Sequence, residues 1–517
     1  YALLAAVLGP TETLRHDLSD LQEAEFLFEV QIFPDLEYTF KHSLTHEVTY
    51  NSQLRDRRRQ LHSQIFHSIR KVYSDRLAEH VERMALHALR GELWNEAAQY
   101  GWQSGLRALD RSAAAEGVHH RSGTKTAVEG LRSGPERSCR LVDLAFDMRN
   151  ALFALGEFGR MGEVLDEARV QAESINDDRR TGWVSAYLAH RNSFLAEHEL
   201  AIESARNAGR LAEITNDGAL SVVSTYYLGQ AFWFAGQPRL AEESLRRAMS
   251  LLKPEAIDER FGMTALAAVV VRWALAESLA EQGYFTEAID VGHEGLSIAQ
   301  HASHRPSEIY ARYGLGYAFL RKGDYTAANR VLEPSLALCT ELEIRVALPF
   351  VSSILACVYL RTNRGLDAES LLATSMEAAD AMGINGLRSM TKAFLAELFL
   401  ARGELSKAIE FASEATELAR TRKEPGWEAW GLKVLADCHL FDGSDPTFAG
   451  SLYLHALSLA REHNLRPLCA QCHEALSRVT PDKTAASEHS IAAVALIRAM
   501  GKIPETAAVQ LATSHTN

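Results

Sequence analysis

The sequence predicts an all-α fold built as a solenoid of stacked antiparallel helix pairs. Three features predict it. A leucine recurs seven times, a small residue directly follows each leucine, and a turn residue lies eight positions after most of these leucines. Two helices joined by a short turn pack closely where both present small side chains, so each repeat describes one helix pair. A single pair cannot bury its apolar face, and stacking of neighbouring pairs supplies the core.

The recurring leucine marks the first helix of each pair. Its positions are Leu188, Leu228, Leu275, Leu315, Leu355, Leu395 and Leu435, which gives gaps of 40, 47, 40, 40, 40 and 40 residues. The expected turn positions are Gly236, Gly283, Gly323, Gly403 and Gly443, with Ala196 and Asn363 as exceptions. The second helix of each pair carries an alanine at the expected crossing point: Ala201, Ala241, Ala288, Ala328, Ala368, Ala408 and Ala449. Two more degenerate pairs, at 141–171 turning at Gly156 and at 466–500 turning near Pro481, extend the predicted repeats to 141–500.

The residues outside the repeats have a different character. Residues 76–112 carry apolar side chains at helical spacing with a break at Gly91, and we expect a helical lead-in to the repeats. Residues 113–140 are rich in Gly, Ser, Thr, Arg and His, which predicts an irregular loop or a divergent repeat. We expect residues 501–517 to form a flexible tail.

Composition excludes several classes of protein. The chain has 517 residues with 54 Lys+Arg against 67 Asp+Glu, a net charge of −13, which argues against a broad nucleic-acid surface. Six cysteines are too sparse for a disulfide framework. The most apolar run, 263–280, contains Arg272 and Glu277 and is too short to span a bilayer with those charges buried. We therefore expect a cytoplasmic protein without a membrane partner.

The repeat also carries a bulky residue one turn after most of the leucines, as at Phe232, Phe319 and Phe399. This combination of leucine, small residue, aromatic residue, Gly turn and Ala resembles the tetratricopeptide repeat, with a period longer than that family's 34 residues. The resemblance implies a concave groove lined by the first helices, in which a protein or peptide binds.

Four stretches resemble the C-terminal half of bacterial multidomain signalling proteins. They are FPDLEYTFKHSLTHEVTYNSQLRDRRRQLHSQI (33–65), RLAEHVERMALHALRGELWNEAAQY (76–100), MRNALFALGEF (148–158) and RPLCAQCHEAL (466–476). In such proteins a class III adenylate/guanylate cyclase domain precedes a P-loop ATPase module of the STAND or AAA-like kind and tetratricopeptide repeats. The resemblance implies that residues 1–75 end a winged-helix-like module of the ATPase region.

The catalytic parts of those proteins have no counterpart in this sequence. Neither the metal-binding carboxylates of a cyclase nor the Walker A and B motifs of an ATPase match any residue here. We therefore assign no catalytic residue, no cofactor and no metal to this chain. The full-length parent resembles an adenylate/guanylate cyclase with an ATPase module.

Four motifs resemble ligand sites, and a structural role explains each of them better. Gly117–Thr126 misses the spacing of a phosphate loop. Cys469 and Cys472, followed by His473, lack the second pair of ligands that a structural zinc site needs.

The two histidine motifs are equally weak as metal sites. For His119 and His120 we expect no acidic or Cys cluster nearby. His42 and His46 would share a helix face, but no glutamate stands in the general-base position.

A basic run offers the one candidate nucleic-acid contact. It consists of Arg55, Arg57, Arg58 and Arg59, together with Lys41 and His62. A basic helix can contact phosphates, but Asp56 interrupts the run and the whole chain is acidic. We favour a solvated helix face, or a contact with the ATPase module, over DNA binding.

The best candidates for partner binding are aromatic and arginine residues on the first helices. They are Tyr226, Trp233, Trp273, Tyr310, Tyr313, Tyr317, Arg321 and Arg361. Aromatic and arginine side chains are the usual anchors of an interface, although they also fill seams between repeats. If they line the groove, replacement of Tyr317 and Arg321 by alanine weakens partner binding and leaves the thermal melt nearly unchanged. Loss of folding instead assigns the two residues to the core.

These observations predict a non-catalytic scaffold. We interpret the chain as the sensor arm of a signalling ATPase or nucleotide cyclase, which binds a protein or peptide in its concave groove and regulates N-terminal ATPase and cyclase modules. Two alternatives stay open: a fragment of an ATPase-plus-repeat transcription regulator, and a free-standing repeat adaptor.

Overall fold

The computed structural model describes residues 1–9, 12–31, 36–110, 114–441 and 446–501. The chain divides into two compact units, residues 1–151 and 152–517. Among the described residues, no helix combines the length and hydropathy needed to cross a membrane. Four features of the sequence analysis lie outside the described residues. They are the predicted turn at Gly443, the tail beyond Gly501, the boundary at 112/113 and the start of the stretch 33–65 that resembles the signalling proteins.

The first unit combines short helices with one β-hairpin. The strands pair antiparallel, with Leu27 opposite Phe40. Its core includes Phe66, Met84 and Ala97, which lie on three different helices. The elements are α1 (Ala2–Leu8), α2 (Glu12–Glu23), β1 (Leu27–Gln31), β2 (Glu37–Phe40), α3 (Ser43–Ser52), α4 (Arg55–Val72), a 3₁₀ helix (Ser74–His80), α5 (Val81–Arg90), α6 (Trp94–Asp110) and α7 (Ala114–Glu129).

Residues 114–129, where we expected an irregular loop or a divergent repeat, form the helix α7, so the loop alternative does not hold for them. The reason is packing against α6, which overrides weak local propensity. Gly101 and Gly105 of α6 leave room for side chains of α7: a Cβ at Gly105 would lie 2.8 Å from Arg121 Nε. The buried Arg121 guanidinium lies 4.5 Å from the Trp102 ring and 3.1 Å from Asp147.

The repeat region is a tetratricopeptide-type solenoid of helix pairs, which confirms the predicted fold class. In chain order its helices are α8 (Pro135–Leu155), α9 (Phe158–Ser174), α10 (Asp178–Phe194), α11 (His198–Thr215), α12 (Gly218–Phe234), α13 (Pro238–Leu251), α14 (Ala267–Glu281), α15 (Phe285–His301), α16 (Arg305–Lys322), α17 (Tyr325–Glu341), α18 (Leu348–Arg361), α19 (Gly365–Met382), α20 (Arg388–Ala401), α21 (Leu405–Thr421), α22 (Pro425–Phe441), α23 (Pro446–Glu462), α24 (Arg466–Val479) and α25 (Lys483–Met500). The one 47-residue gap corresponds to a 3₁₀ turn (Pro254–Ala256) and a longer connection before α14.

The small residues lie where the two helices of a pair cross. All seven of the predicted alanines, from Ala201 to Ala449, have no exposed surface. At Gly316, a Cβ would lie 2.4 Å from the Leu332 side chain, so this crossing has no room for a larger residue. Shape at the crossing, rather than hydrophobicity alone, therefore sets the repeat pattern.

The turn positions adopt the left-handed conformation that the pattern predicts. Gly236, Gly283, Gly323 and Gly403 have φ between 68° and 95°, and the two exceptions follow with Ala196 at 62° and Asn363 at 65°. Alanine in this region carries a steric cost that its surroundings must offset.

Inner and outer helices differ in burial. Every residue of α14 from Ala267 to Ala280 is buried, and the even-numbered helices α10 to α22 are buried on nearly all sides. The outer helix α13 buries only Pro238, Ala241, Leu245 and Ala248, a single stripe at helical spacing. The second unit is thus a layer of apolar inner helices within a layer of amphipathic outer helices.

The solenoid closes on itself, because helix pairs five repeats apart are in contact. The backbone N–H groups of Asn385 and Gly386 both donate to the Phe194 carbonyl at 2.9 Å. His198 Nε2 lies 2.9 Å from Glu424 Oε1. Gly236 packs against Gly426, which joins the pair α12/α13 to the pair α22/α23. Asn464 Nδ2 donates to Gln282 Oε1 at 2.8 Å, which joins the pair α14/α15 to the pair α24/α25.

Candidate functional site

The structure places most of the predicted groove residues inside the closed solenoid. Six of the eight are buried: Tyr226, Trp233, Trp273, Tyr313, Tyr317 and Arg321. Tyr310 and Arg361 are half-buried. In this conformation they contact other inner helices, so replacement of Tyr317 and Arg321 by alanine should also affect folding, and their contact with a partner stays a prediction. A partner reaches them only if the solenoid opens.

Glu281 is the centre of the polar cluster in this interior. The Tyr317 hydroxyl donates to Glu281 Oε1, and Arg321 Nε donates to the same oxygen at 2.6 Å. Arg321 Nη2 also donates to the Tyr317 hydroxyl at 3.0 Å. Because Arg321 additionally lies 4.4 Å from the Trp430 ring, this network ties α14 and α16 to α22 across the closure.

Glu277 lies one turn before Glu281 and is almost fully buried. The Tyr313 hydroxyl and the Trp273 indole nitrogen lie next to its carboxyl group as hydrogen-bond donors. Burial raises the pKa of Glu277 well above its ordinary value of 4.5; nearby Tyr313 lowers it and the Glu281 carboxylate raises it. The Glu277 carboxyl therefore stays protonated over a range in which an exposed glutamate is ionised.

We expect Glu277→Gln to raise stability increasingly as the pH rises from 5 to 8. The folded wild-type chain holds a proton on Glu277 that the unfolded chain releases above pH 4.5, so the wild-type free energy of unfolding falls across this window. Each unit of pKa shift corresponds to about 1.4 kcal/mol. Urea unfolding at several pH values checks this, and a difference between the two proteins that is independent of pH contradicts it.

A second charged pair continues the cluster along the inner helices. Arg361 Nη2 donates to Glu397 Oε2 at 2.9 Å, linking α18 to α20. Arg321 and Arg361 occupy the same repeat position, six residues after the leucine, and so does Glu281. The sequence analysis missed Glu281, although this shared position could have identified it.

Two tryptophans of α22, which the sequence analysis also missed, complete the site. Trp427 packs edge-on against Trp233, with ring centroids 6.4 Å apart. Trp430 lies beside Arg321, and its indole nitrogen is buried without a partner. Trp430 lies five residues before Leu435, the repeat position that Tyr310 occupies before Leu315, so this shared position could have identified it. Trp427 lies eight residues before Leu435, where no other repeat has an aromatic residue, so the repeat pattern gave no signal for it.

The cysteines have the properties of packing residues. All six are free, and Cys469 and Cys472 are buried on α24. Burial raises the pKa of the Cys469 thiol to about 11 and raises that of Cys472 as well, so neither is a thiolate at neutral pH. His473 instead lies 2.8 Å from His489, Nδ1 to Nδ1.

The other ligand-like motifs are placed differently than expected. Gly117–Thr126 lies inside α7 and does not form a loop. His120 has acidic neighbours, contrary to the expectation, because ligand atoms of Glu82, Glu116 and His120 lie within 4.8 Å of one another. Both glutamates are exposed. His42 is the residue before the first turn of α3 and makes no capping hydrogen bond with its side chain, so it does not lie on the helix with His46.

The basic run makes contacts within its own unit. Arg55 and Arg59 each lie 3.3 Å from Glu92, and the Arg58 guanidinium lies 5.0 Å from the Tyr50 ring. Behind them His62 Nδ1 lies 2.8 Å from His87 Nδ1, and burial together with the neighbouring His62 lowers the pKa of His87 to about 4. These pairings fit the interpretation of a helix face within the protein better than a DNA contact.

No protein-family model and no curated protein matches the sequence. Among solved structures, a Rap protein complexed with competence and sporulation factor is 14% identical, with a TM-score of 0.47 over 76% of this chain and 99% of that one. NprR in complex with its cognate peptide NprX is 12% identical, with a TM-score of 0.48 over 69% of this chain and 99% of that one. A STAND protein with a tetratricopeptide repeat sensor from Pyrococcus horikoshii is 13% identical, with a TM-score of 0.37 over 90% of this chain and 62% of that one.

Proposed function

We propose that the chain is a non-catalytic sensor and scaffold that binds a peptide or protein segment on its inner helices. In this proposal it is the arm of a signalling ATPase or nucleotide cyclase, and the occupancy of the inner surface regulates N-terminal catalytic modules. The closed solenoid is the unoccupied state, and binding opens the closure between helix pairs five repeats apart.

The observation that carries the proposal is the polar character of the buried inner surface. Buried polar atoms in proteins are nearly always hydrogen-bonded, because an unpartnered one costs about 1–3 kcal/mol. This interior instead holds several without a partner. They are Gln230 Oε1, Glu397 Oε1 and Trp430 Nε1. A surface that meets a ligand in a second conformation accounts for such groups better than a core that serves stability alone.

Peptide display against the immobilised chain tests this function. We expect selected peptides to bind with a measurable heat in calorimetry and to change the fluorescence of the inner tryptophans. Binding should weaken in Trp427→Phe and stay unchanged in Trp94→Phe, a matched change in the first unit. Peptides that bind the two variants equally well place the binding site elsewhere and overturn the proposal.

The proposal assigns no catalysis to this chain. Incubation of the purified chain with ATP and Mg²⁺ or Mn²⁺ should yield neither ADP nor a cyclic nucleotide, and formation of either product overturns it.

Sequencing of the coding DNA upstream of the Tyr1 codon tests whether the chain belongs to a larger signalling protein. In-frame cyclase and P-loop modules support the sensor arm, whereas a start codon there supports a free-standing adaptor.

A further inference from the structure

A small cavity lies where the solenoid closes, and its walls are mainly aromatic. Trp233 of α12 and Trp427 and Trp430 of α22 line it, and Glu281 is its one charged lining residue. The remaining walls are Gly236, Pro238, Gly426, Leu465 and Leu468. The cavity volume is about 20 Å³, which is room for a group the size of one water molecule.

The polar groups of this wall have unused hydrogen-bonding capacity. Both hydrogen bonds that reach the Glu281 carboxylate end on Oε1, so within the described residues Oε2 accepts none. The indole nitrogen of Trp430 is buried and donates to no acceptor. The site thus offers one carboxylate oxygen for a positive group and one N–H for a neighbouring carbonyl.

Cations are already attracted to this wall. The Arg321 guanidinium lies against Trp430, as the electron-rich face of an indole ring favours. Two carboxyl groups, Glu277 and Glu281, lie beside Arg321, and Lys433 Nζ lies 5.8 Å from the centre of the Trp430 ring. With Glu277 protonated, Arg321 balances the Glu281 carboxylate, and one additional positive charge beside the pair would favour ionisation of Glu277 as well.

We propose that this cavity is the subsite for an ammonium group of the bound peptide, supplied by a lysine side chain or by the amino terminus. The ammonium group pairs with Glu281 Oε2 and lies against the rings of Trp233, Trp427 and Trp430. A compact ammonium suits the small volume better than a planar guanidinium. This inference rests on the proposed function, since the cavity lies on the surface that opens to admit the peptide.

Titration of the full chain with n-butylammonium chloride, followed by tryptophan fluorescence and calorimetry, tests the subsite. We expect saturable binding that n-butanol and sodium chloride do not reproduce. Trp427→Phe should weaken it about threefold or more, because phenylalanine is the poorer cation partner. Glu281→Gln should weaken it about tenfold. Trp183→Phe is the matched control, because Trp183 hydrogen-bonds Asp217 and does not line the cavity.

Two competitors identify the source of the amine. Acetyl-lysinamide carries only a side-chain amine and alaninamide only a terminal one, and displacement of butylammonium by either supports the proposal. Butylammonium that binds no better than butanol, or equally well to wild type and Trp427→Phe, overturns it. If displayed peptides bind while butylammonium does not, the subsite fails and the proposed function stands; if butylammonium binds and no peptide does, the proposed function fails alone.

Discussion

Replacement of Arg321 by leucine should lower the free energy of unfolding of the repeat unit by about 3–5 kcal/mol. Arg321 is the cation hydrogen-bonded to Glu281, both side chains are largely buried, and Glu277 lies next to them. Removal of the guanidinium leaves one buried carboxylate without its cation and beside a second carboxyl group. Urea unfolding, followed by circular dichroism and tryptophan fluorescence, measures the loss.

Two further variants separate this cause from general disruption. Arg305→Leu removes an ion pair with Glu341 on the exposed surface, where both side chains are about half exposed, and should change the free energy of unfolding far less than Arg321→Leu. The double variant of Arg321→Leu with Glu281→Leu should recover most of the lost stability, because no buried charge stays unpaired. An unchanged unfolding midpoint for Arg321→Leu alone would show that the pair is not buried in solution.

The repeat architecture was predictable because its causes are local. Small residues at helix crossings, such as Ala201 and Gly316, and glycine at turn positions leave a signal in every 40 residues. The turns after the outer helices left no such signal. They also adopt positive φ, but with varied residues: Asn176, Asn216, Ser303, Glu343, Gly383, Lys423 and Asn464. Asparagine occupies three of these seven positions and four other residue types occupy the rest, so no single residue type identifies these turns.

The closure of the solenoid could not be predicted for a different reason. The contacts that make it join residues 182 to 226 positions apart, as for Gln282 with Asn464 and His198 with Glu424. A repeat pattern describes only how each pair meets its neighbours. Whether the aromatic and arginine residues of the inner helices face solvent or one another depends on this long-range packing.

A single added methyl group at Gly426 should open that closure. A Cβ at this position would lie 2.7 Å from the carbonyl oxygen of Gly236 and 3.2 Å from its Cα, so backbone would have to move on one side. Gly426 lies in the first turn of α22, where alanine is otherwise preferred to glycine. We expect Gly426→Ala to cost about 1–3 kcal/mol, to shift tryptophan emission to the red, and to increase the radius of gyration in small-angle scattering.

The matched control is Gly159→Ala on the outer helix α9, where an added Cβ meets no atom within 4 Å. This variant should gain up to about 1 kcal/mol from reduced backbone entropy in the unfolded state, with unchanged scattering. If Gly426→Ala instead stabilises the chain as Gly159→Ala does, the two loops are not in contact in solution. The same glycine-to-alanine change should therefore lower the free energy of unfolding at Gly426 and raise it at Gly159. This difference in sign separates the effect of helix propensity from the effect of the closure contact.

If peptides bind Gly426→Ala more tightly than wild type, closure is the step that limits access to the inner helices, because the variant has already lost the contacts that binding must otherwise break.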